Sequence, residues 1–382
     1  MLKNKNQNKI KEIINIFSDP KNFSKLIKES SKFVILISHS ADSSGGAPVV
    51  LYEYAKYLKE KGKSVLFISD KRGSLLSEAK KYGIPSFESS FLYKLYLKRI
   101  KREQKNIGFI VVNTITLHKY VEYLSFLNYG GKILWWIHES KELIENYSEC
   151  IETYNLKKIA ICCVSGKVIE NVKRNLKNKK QSLYLLPYGI KDRGYFEKNN
   201  FSKKFVITII GRVSKRKNQI ELIKAFKYLP SEIKNNIIIQ IVAGSYDDDY
   251  LKMLEKVISN DKKIKIVGPY TRSEMKKVYK YSQIIVSSSQ DDPLPVVISE
   301  AMMYGRLIIV SSGNGQFSHI ENGINGFKYI LGNYKELAHI IEYIFLNFNK
   351  NDFVRKNARD LFLRDFSIDG MDNNVHEILE KM

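Results

Sequence analysis

Cysteine is scarce in this chain: Cys150, Cys162 and Cys163 are the only three. Three thiols in apolar surroundings cannot build the disulfide framework of a small secreted domain, and the vicinal pair falls in a strand-like run, so they read as packing residues. Histidine is sparse as well. His39, His118, His138, His319, His339 and His376 never stand at a metal-ligand spacing, which argues against a structural or catalytic zinc. No uninterrupted apolar run approaches the roughly 20 residues that span a bilayer, and Met1 to Lys11 is polar without a signal peptide's apolar core. A cytoplasmic protein is expected. Acidic residues are outnumbered, 40 Asp+Glu against 63 Lys+Arg, for a formal net charge of +23. That surplus predicts attraction to phosphates, nucleic acid or anionic lipid, and charge alone does not choose among them. Lys, Asn, Ile and Tyr are abundant throughout, as a biased genome would also produce, so the charge is discounted as a signal of function.

What is present is a large apolar fraction. With 382 residues, 44% hydrophobic and 12% aromatic, the chain buries a sizeable core and is long enough for two domains. Short β-branched runs alternate with longer amphipathic segments, the pattern of parallel βαβ units covered on both faces. The first half predicts strands over 33–38, 64–69, 109–113, 133–137, 159–164 and 183–186. A helix after Pro48 sets Val49, Leu51, Tyr54, Ala55 and Leu58 on one broad face before Gly62. The pattern breaks at Leu186-Pro187-Tyr188-Gly189, and the polar stretch 191–204 marks the domain boundary. The series then restarts, with strands at 205–210, 237–243, 264–267, 284–287 and 307–310 and helices at 218–228, 250–259, 272–281 and 297–304. The expected organisation is α/β, with Rossmann-like doubly wound domains over 1–190 and 191–351 facing an interdomain cleft, then helices over 352–382 crossing back to the first domain. Loops at the carboxyl ends of the strands are where ligands belong in such sheets.

Four such loops carry candidate chemistry. Ser43-Ser44-Gly45-Gly46-Ala47-Pro48 joins the first strand to its helix, where free N–H groups favour an anion, although a tight turn needing positive φ explains the glycines equally well. Gly211-Arg212-Val213-Ser214-Lys215-Arg216-Lys217-Asn218 gathers four cations between a strand and a helix N-terminus, a setting suited to a phosphate-bearing ligand. A solvated basic loop is the plain alternative. Gln290-Asp291-Asp292-Pro293-Leu294-Pro295, with Glu300 eight residues after Asp292, offers carboxylates for sugar or ribose hydroxyls; an Asp cap and a surface Glu would look the same. His138 ends a strand where an imidazole donates a hydrogen bond or acts as a base, or is merely structural. The run Asp247-Asp248-Asp249 reads as a solvated helix start of favourable dipole sign and not as a metal site.

In this order the pieces resemble the retaining glycosyltransferases of the GT-B fold, family 4. The resemblance rests on Gly45-Gly46, His138, Gly211-Arg212 with Lys217-Asn218, Asp292 through Glu300-Ala301-Met302, Gly305, and Gly323-Ile324-Asn325-Gly326-Phe327. It implies that Arg212 and Lys217 bind the donor diphosphate and stabilise its charge as the sugar leaves, so that neither cofactor nor metal is needed. It further implies Glu300 on the donor ribose, Asp292 on the transferred sugar, and His138 near the anomeric carbon. Gly45 and Gly46 would bring N–H groups toward the phosphates and acceptor, and Gly211, Pro293, Leu294 and Pro295 complete the donor-binding set. The family usually has Glu where Asp292 stands, which leaves the sugar contact open. Asp-Pro-Leu-Pro is similar to a bacterial subset that builds surface polysaccharides.

The implied activity is transfer of a hexose-type sugar from a UDP- or GDP-linked donor to a hydroxyl of a surface-polysaccharide or lipid-linked glycan. Two rivals stand beside it: a nucleotide-sugar-binding protein of this fold with hydrolase or epimerase activity or none, and a basic nucleic-acid-binding protein. The second rests on charge with 24 Tyr and 19 Phe alone, without a recognition module, so no nucleic-acid partner is expected. Between Leu92 and Lys105 six Lys/Arg face one Glu among Leu, Tyr and Ile, and the first 30 residues hold seven Lys against three acids. Both suit peripheral contact with anionic lipid on the inner face of the cell membrane, and a solvated charged helix is the plainer alternative for the first.

Overall fold

The computed structural model describes residues 32–43, 46–151, 158–176, 182–196 and 204–382, together with Phe23 and Leu26. The chain forms two compact units, one of Met1–Val164, Val168–Gly189 and Asp372–Met382, the other of Ser165–Lys167 and Ile190–Met371. Each is an α/β layer structure around a parallel sheet. Of the segment 352–382, the contacts group only the final eleven residues with the first unit, whereas the helix Asp352–Leu361 belongs to the second.

The first unit's sheet comprises β1 (Phe33–Ser38), β2 (Val65–Ser69), β3 (Ser86–Glu88), β4 (Ile107–Asn113), β5 (Lys132–Ile137), β6 (Ile159–Cys163) and β7 (Leu183–Leu185). Their order is β3-β2-β1-β4-β5-β6-β7, all parallel. β1 is buried at every position, as a central strand covered on both faces must be. Cys162 and Cys163 lie buried in β6, and the helix Gly46–Glu60 holds Pro48 in its first turn. The Tyr54 hydroxyl on that helix donates to Asp372 at 2.7 Å and so ties the chain's end to this unit.

The second sheet runs β10-β9-β8-β11-β12-β13, built from β8 (Phe205–Ile210), β9 (Ile237–Val242), β10 (Ile264–Val267), β11 (Ile284–Ser287), β12 (Leu307–Ser311) and β13 (Phe327–Tyr329). Its core packs Ile207, Ile209, Ile239, Ile241, Val286 and Ile309 against Leu222, Phe226, Leu337 and Ile341 of the covering helices. β3 and β13, three residues each, were not expected from the sequence, nor was the helix Tyr334–Leu346. Three residues carry too little alternation to register, because period 2 needs four or more; β7, equally short, is marked by the four-residue apolar run Leu183–Leu186. In each sheet the order reverses once, between β1 and β4 and between β8 and β11. Those reversals are the topological switch points at which doubly wound sheets hold ligands.

Candidate functional site

Two loops meet at the switch point of the second sheet. β8 gives way to Gly211 at φ +138°, a conformation that residues with a Cβ rarely adopt. A Cβ there would also press on Lys217, 3.3 Å from its Cε. Glycine therefore lets Lys217 fold back over the strand end, where its Nζ meets Asp292 Oδ2 at 2.5 Å, the two side chains only 14% and 10% exposed. Arg216 reaches the same oxygen at 3.5 Å from a more exposed position and donates to the Asp291 carbonyl at 3.1 Å. Arg212 is exposed, and its guanidinium makes one hydrogen bond among the described residues, a long donation of 3.4 Å to the Tyr246 carbonyl. Its guanidinium keeps most of its fork for a ligand. Behind the loop the buried Gln219 donates from Nε2 to the Arg212 carbonyl at 2.9 Å, and the Ser288 hydroxyl donates to the Asn218 carbonyl at 2.8 Å.

The loop after β11 is anchored to the loop after β12. The Asp292 N–H donates to the Gly313 carbonyl at 3.0 Å, and the Gly315 N–H donates to the Asp292 carbonyl at 2.8 Å. The backbones approach so closely that a Cβ on Gly315 would lie 1.6 Å from the Pro293 carbonyl oxygen, and one on Gly313 2.1 Å from that of Ser289. Asn314 between them is buried and saturated, donating to the Ser287 carbonyl and Ser311 Oγ, both at 2.9 Å, and accepting from Ser287 Oγ at 2.7 Å. Leu294 is buried beneath, and Pro295 precedes the helix Val296–Met303 without a side-chain cap. The Asp292 carboxylate thus neither caps that helix nor stands free; it is the counter-ion of Lys217. Glu300, in the helix's second turn, accepts a 2.6 Å hydrogen bond at Oε2 from the hydroxyl of buried Tyr279.

The fold therefore joins Lys217 to Asp292 directly, while Arg212 and Glu300 take separate partners. Gln219, Ser288, Gly313, Asn314, Gly315 and Tyr279 were missed in the sequence. Gly313-Asn314-Gly315 directly after a buried strand was the one local signal; the others show only through partners 7 to 71 residues away. The acidic run does cap a helix, Asp247 Oδ1 accepting from the Tyr250 N–H at 3.1 Å.

The first unit carries its own polar cluster at the β1, β4 and β5 ends. Register aligns Ser38 with Asn113 and Asn113 with Trp136, so His39 and Thr114 leave their strands side by side, and His138 follows Ile137 one residue beyond that level on β5. His138 rests against Trp136 and Tyr188, ring centroids 4.5 and 5.9 Å away. Burial, with a smaller contribution from His39, pushes its pKa down to about 3, so it is a neutral imidazole and too weak a base to draw protons near neutrality. Its expected roles narrow to hydrogen bonding. Next to it Glu139 accepts from the His138 and Ile115 N–H groups at 2.7 and 3.0 Å, while burial lifts its carboxyl to about 7. Thr114 is held at φ 91°, a strained setting for a β-branched residue, with its carbonyl accepting from Trp135 Nε1 at 3.0 Å. His39 Nδ1, Asn113 Oδ1 and His138 Nε2 are buried without hydrogen-bond partners among the described residues, an arrangement that a polar ligand would satisfy. Gly46 opens the helix after β1 in open space, and Gly45 lies outside the described residues.

Comparison with known proteins bears on both units. Residues 30–196 match the family model for glycosyl-transferase family 4 and residues 191–361 that for glycosyl transferases group 1. An uncharacterised glycosyltransferase of Methanocaldococcus jannaschii is 26% identical over 197 residues, 49% of this chain and 50% of its own. The chain thus spans about half the length of the curated relatives it matches. An Escherichia coli UDP-Gal:alpha-D-GlcNAc-diphosphoundecaprenol alpha-1,3-galactosyltransferase is 29% identical over 130 residues, 32% of each chain. Among solved structures, Anabaena HepE in complex with UDP and glucose superposes with TM-score 0.71 at 18% identity, covering 91% of this chain and 99% of its own. Two consecutive family models spanning 30–361 and a shared fold over nine-tenths of the chain give one conclusion: the protein belongs to the group 1 glycosyltransferases and has the GT-B fold.

Proposed function

We propose that the protein is a retaining, metal-independent glycosyltransferase that moves a hexose from a nucleotide-diphosphate sugar to a hydroxyl of a surface-polysaccharide or lipid-linked glycan. The observation that carries this reading is the pair of cationic side chains, exposed Arg212 and largely buried Lys217, on one loop at the switch point of the second sheet. As the bond between the anomeric carbon and the diphosphate oxygen breaks, negative charge accumulates on the diphosphate, and fixed cations there lower the barrier without a divalent ion. The acceptor hydroxyl attacks the anomeric carbon on the face the diphosphate leaves, a new C–O bond replaces the old one, and the hydroxyl proton passes to a diphosphate oxygen. The neutral imidazole of His138 and Asn113 Oδ1, which has no partner among the described residues, are suited to bonding sugar hydroxyls. HepE was crystallised with UDP and glucose, and the E. coli relative acts on a diphosphoundecaprenol-linked sugar, so a nucleotide-sugar donor and a lipid-linked acceptor fit the neighbourhood of this chain.

Incubation with UDP- and GDP-sugars is expected to release nucleoside diphosphate faster when an extract of glycan acceptors is added. Release that is indifferent to acceptor would establish a hydrolase instead, and binding of nucleic acid without nucleotide-sugar turnover would overturn the reading.

The acceptor chemistry extends the proposal to an anionic membrane surface on the cytoplasmic side. The helix Tyr93–Arg102 ends in Arg99, Lys101 and Arg102, while Phe91 before it is 85% exposed and Phe126, stacked on Tyr123, is 75% exposed. Exposed aromatics together with a cationic helix favour the interface of an anionic bilayer, and Phe126 lines one surface hollow with Lys94 and Lys119. Of the Lys-rich first 30 residues, only Phe23 and Leu26 lie within the described residues. Vesicles containing phosphatidylglycerol are expected to sediment the protein at low salt and release it at high salt, with Phe91→Ser/Phe126→Ser weakening retention. Equal binding to neutral vesicles, or none to anionic ones, would refute the membrane contact.

A further inference from the structure

Glu300 is held by a residue that neither family motif nor sequence spacing singles out. Tyr279 lies in the helix Arg272–Tyr281 that precedes β11 and is 1% exposed. Its ring packs against Tyr304 at 5.2 Å between centroids, and Tyr304 in turn stacks on Phe196 at 4.9 Å. That aromatic column leaves the phenol little freedom. A phenol has one proton to give, and this one goes to Glu300 Oε2 at 2.6 Å. Oε1 has no hydrogen-bond partner among the described residues. A carboxylate clamped at one oxygen presents the other in a fixed direction, which is what bonding to a pair of adjacent hydroxyls requires.

We infer that Tyr279 is a positioning residue that aims Glu300 at the ribose of the donor, so that the site selects ribonucleotide over deoxyribonucleotide donors. The inference rests on the proposed nucleotide-sugar reading and deepens it at one subsite. Without Tyr279 the carboxylate rotates between the helix surface and the ligand, and its bonds to the vicinal hydroxyls are averaged away. The phosphate contacts of Arg212 and Lys217, on another loop, are untouched.

Calorimetric titration of the full chain with UDP and GDP, each compared with its 2′,3′-dideoxy analogue, separates these effects. Wild type is expected to bind at least one ribonucleotide about tenfold tighter than its dideoxy form, the size of a charge-assisted hydrogen bond. Tyr279→Phe, which keeps the ring and its packing, is expected to shrink that ratio to about twofold while dideoxy affinity stays as in wild type. Glu300→Gln should shrink it likewise, and the double variant no further. The inference is overturned if Tyr279→Phe keeps the wild-type ratio, or if it weakens both analogues equally as a general packing defect would. Failure of wild type to bind any of the four nucleotides would instead overturn the nucleotide-sugar reading on which it rests.

Discussion

Arg212→Ala is expected to lower kcat by about 10²-fold, the usual cost of removing one preorganised donor from a developing anion, while leaving thermal stability unchanged. Stability should hold because the guanidinium is exposed and gives the protein only a 3.4 Å bond to the Tyr246 carbonyl. Lys217→Ala should cost a similar factor in kcat but also lower Tm. Its ammonium neutralises Asp292 at 2.5 Å where both are largely buried, and removing one partner strands the other. The loss should fall below the roughly 3–5 kcal/mol of a fully buried pair, since Arg216 at 3.5 Å still offers the carboxylate a cation. Lys217→Ala with Asp292→Asn should recover stability and leave turnover low. Acceptor-stimulated release of nucleoside diphosphate and a melting curve for each variant decide the matter. Turnover at the wild-type level in both single variants would exclude charge stabilisation by these cations.

Gly315→Ala is expected to be the most disruptive single substitution in the second unit. Its Cβ would lie 1.6 Å from the Pro293 carbonyl oxygen, a backbone atom whose neighbours Asp292 and Leu294 are buried. Relief requires the loop after β11 to move, which breaks the hydrogen bond from the Gly315 N–H to the Asp292 carbonyl and withdraws Asp292 from Lys217. We expect a loss on the order of 3 kcal/mol or more by urea unfolding, and nucleoside diphosphate binding at least tenfold weaker. Gly332→Ala is the control: its φ of +90° strains an alanine, but nothing lies within 4 Å of the added methyl. It should cost about 1 kcal/mol and leave binding unaltered. If the two substitutions cost the same, the close approach of the two loops does not govern the site.

The contrast between these positions also marks where sequence reading reaches its limit. The strands at 205–210 and 284–287 coincide with β8 and β11, because a strand covered on both faces is a nearly continuous apolar run legible without its neighbours. The basic run from Gly211 and the segment from Asp292 to Glu300 were likewise visible, as charged residues beside strand ends. Their partnerships were not. Lys217 and Asp292 are 75 residues apart, and nothing local indicates that the lysine would neutralise this carboxylate. The same holds for Tyr279, whose helical context reads as ordinary packing until Glu300 is found beside it.

By itself, then, the order of residues determined the α/β class, most of the strands, and the loops in which cations, carboxylates and a histidine would be found. These properties follow from local periodicity and from where the chain turns. Only tertiary structure decided that Asp292 answers Lys217, that Tyr279 holds Glu300, that His138 stays neutral, and that Gly313 and Gly315 are needed for room. Each of those is a matter of distance and desolvation between segments remote in the chain, and sequence spacing carries neither.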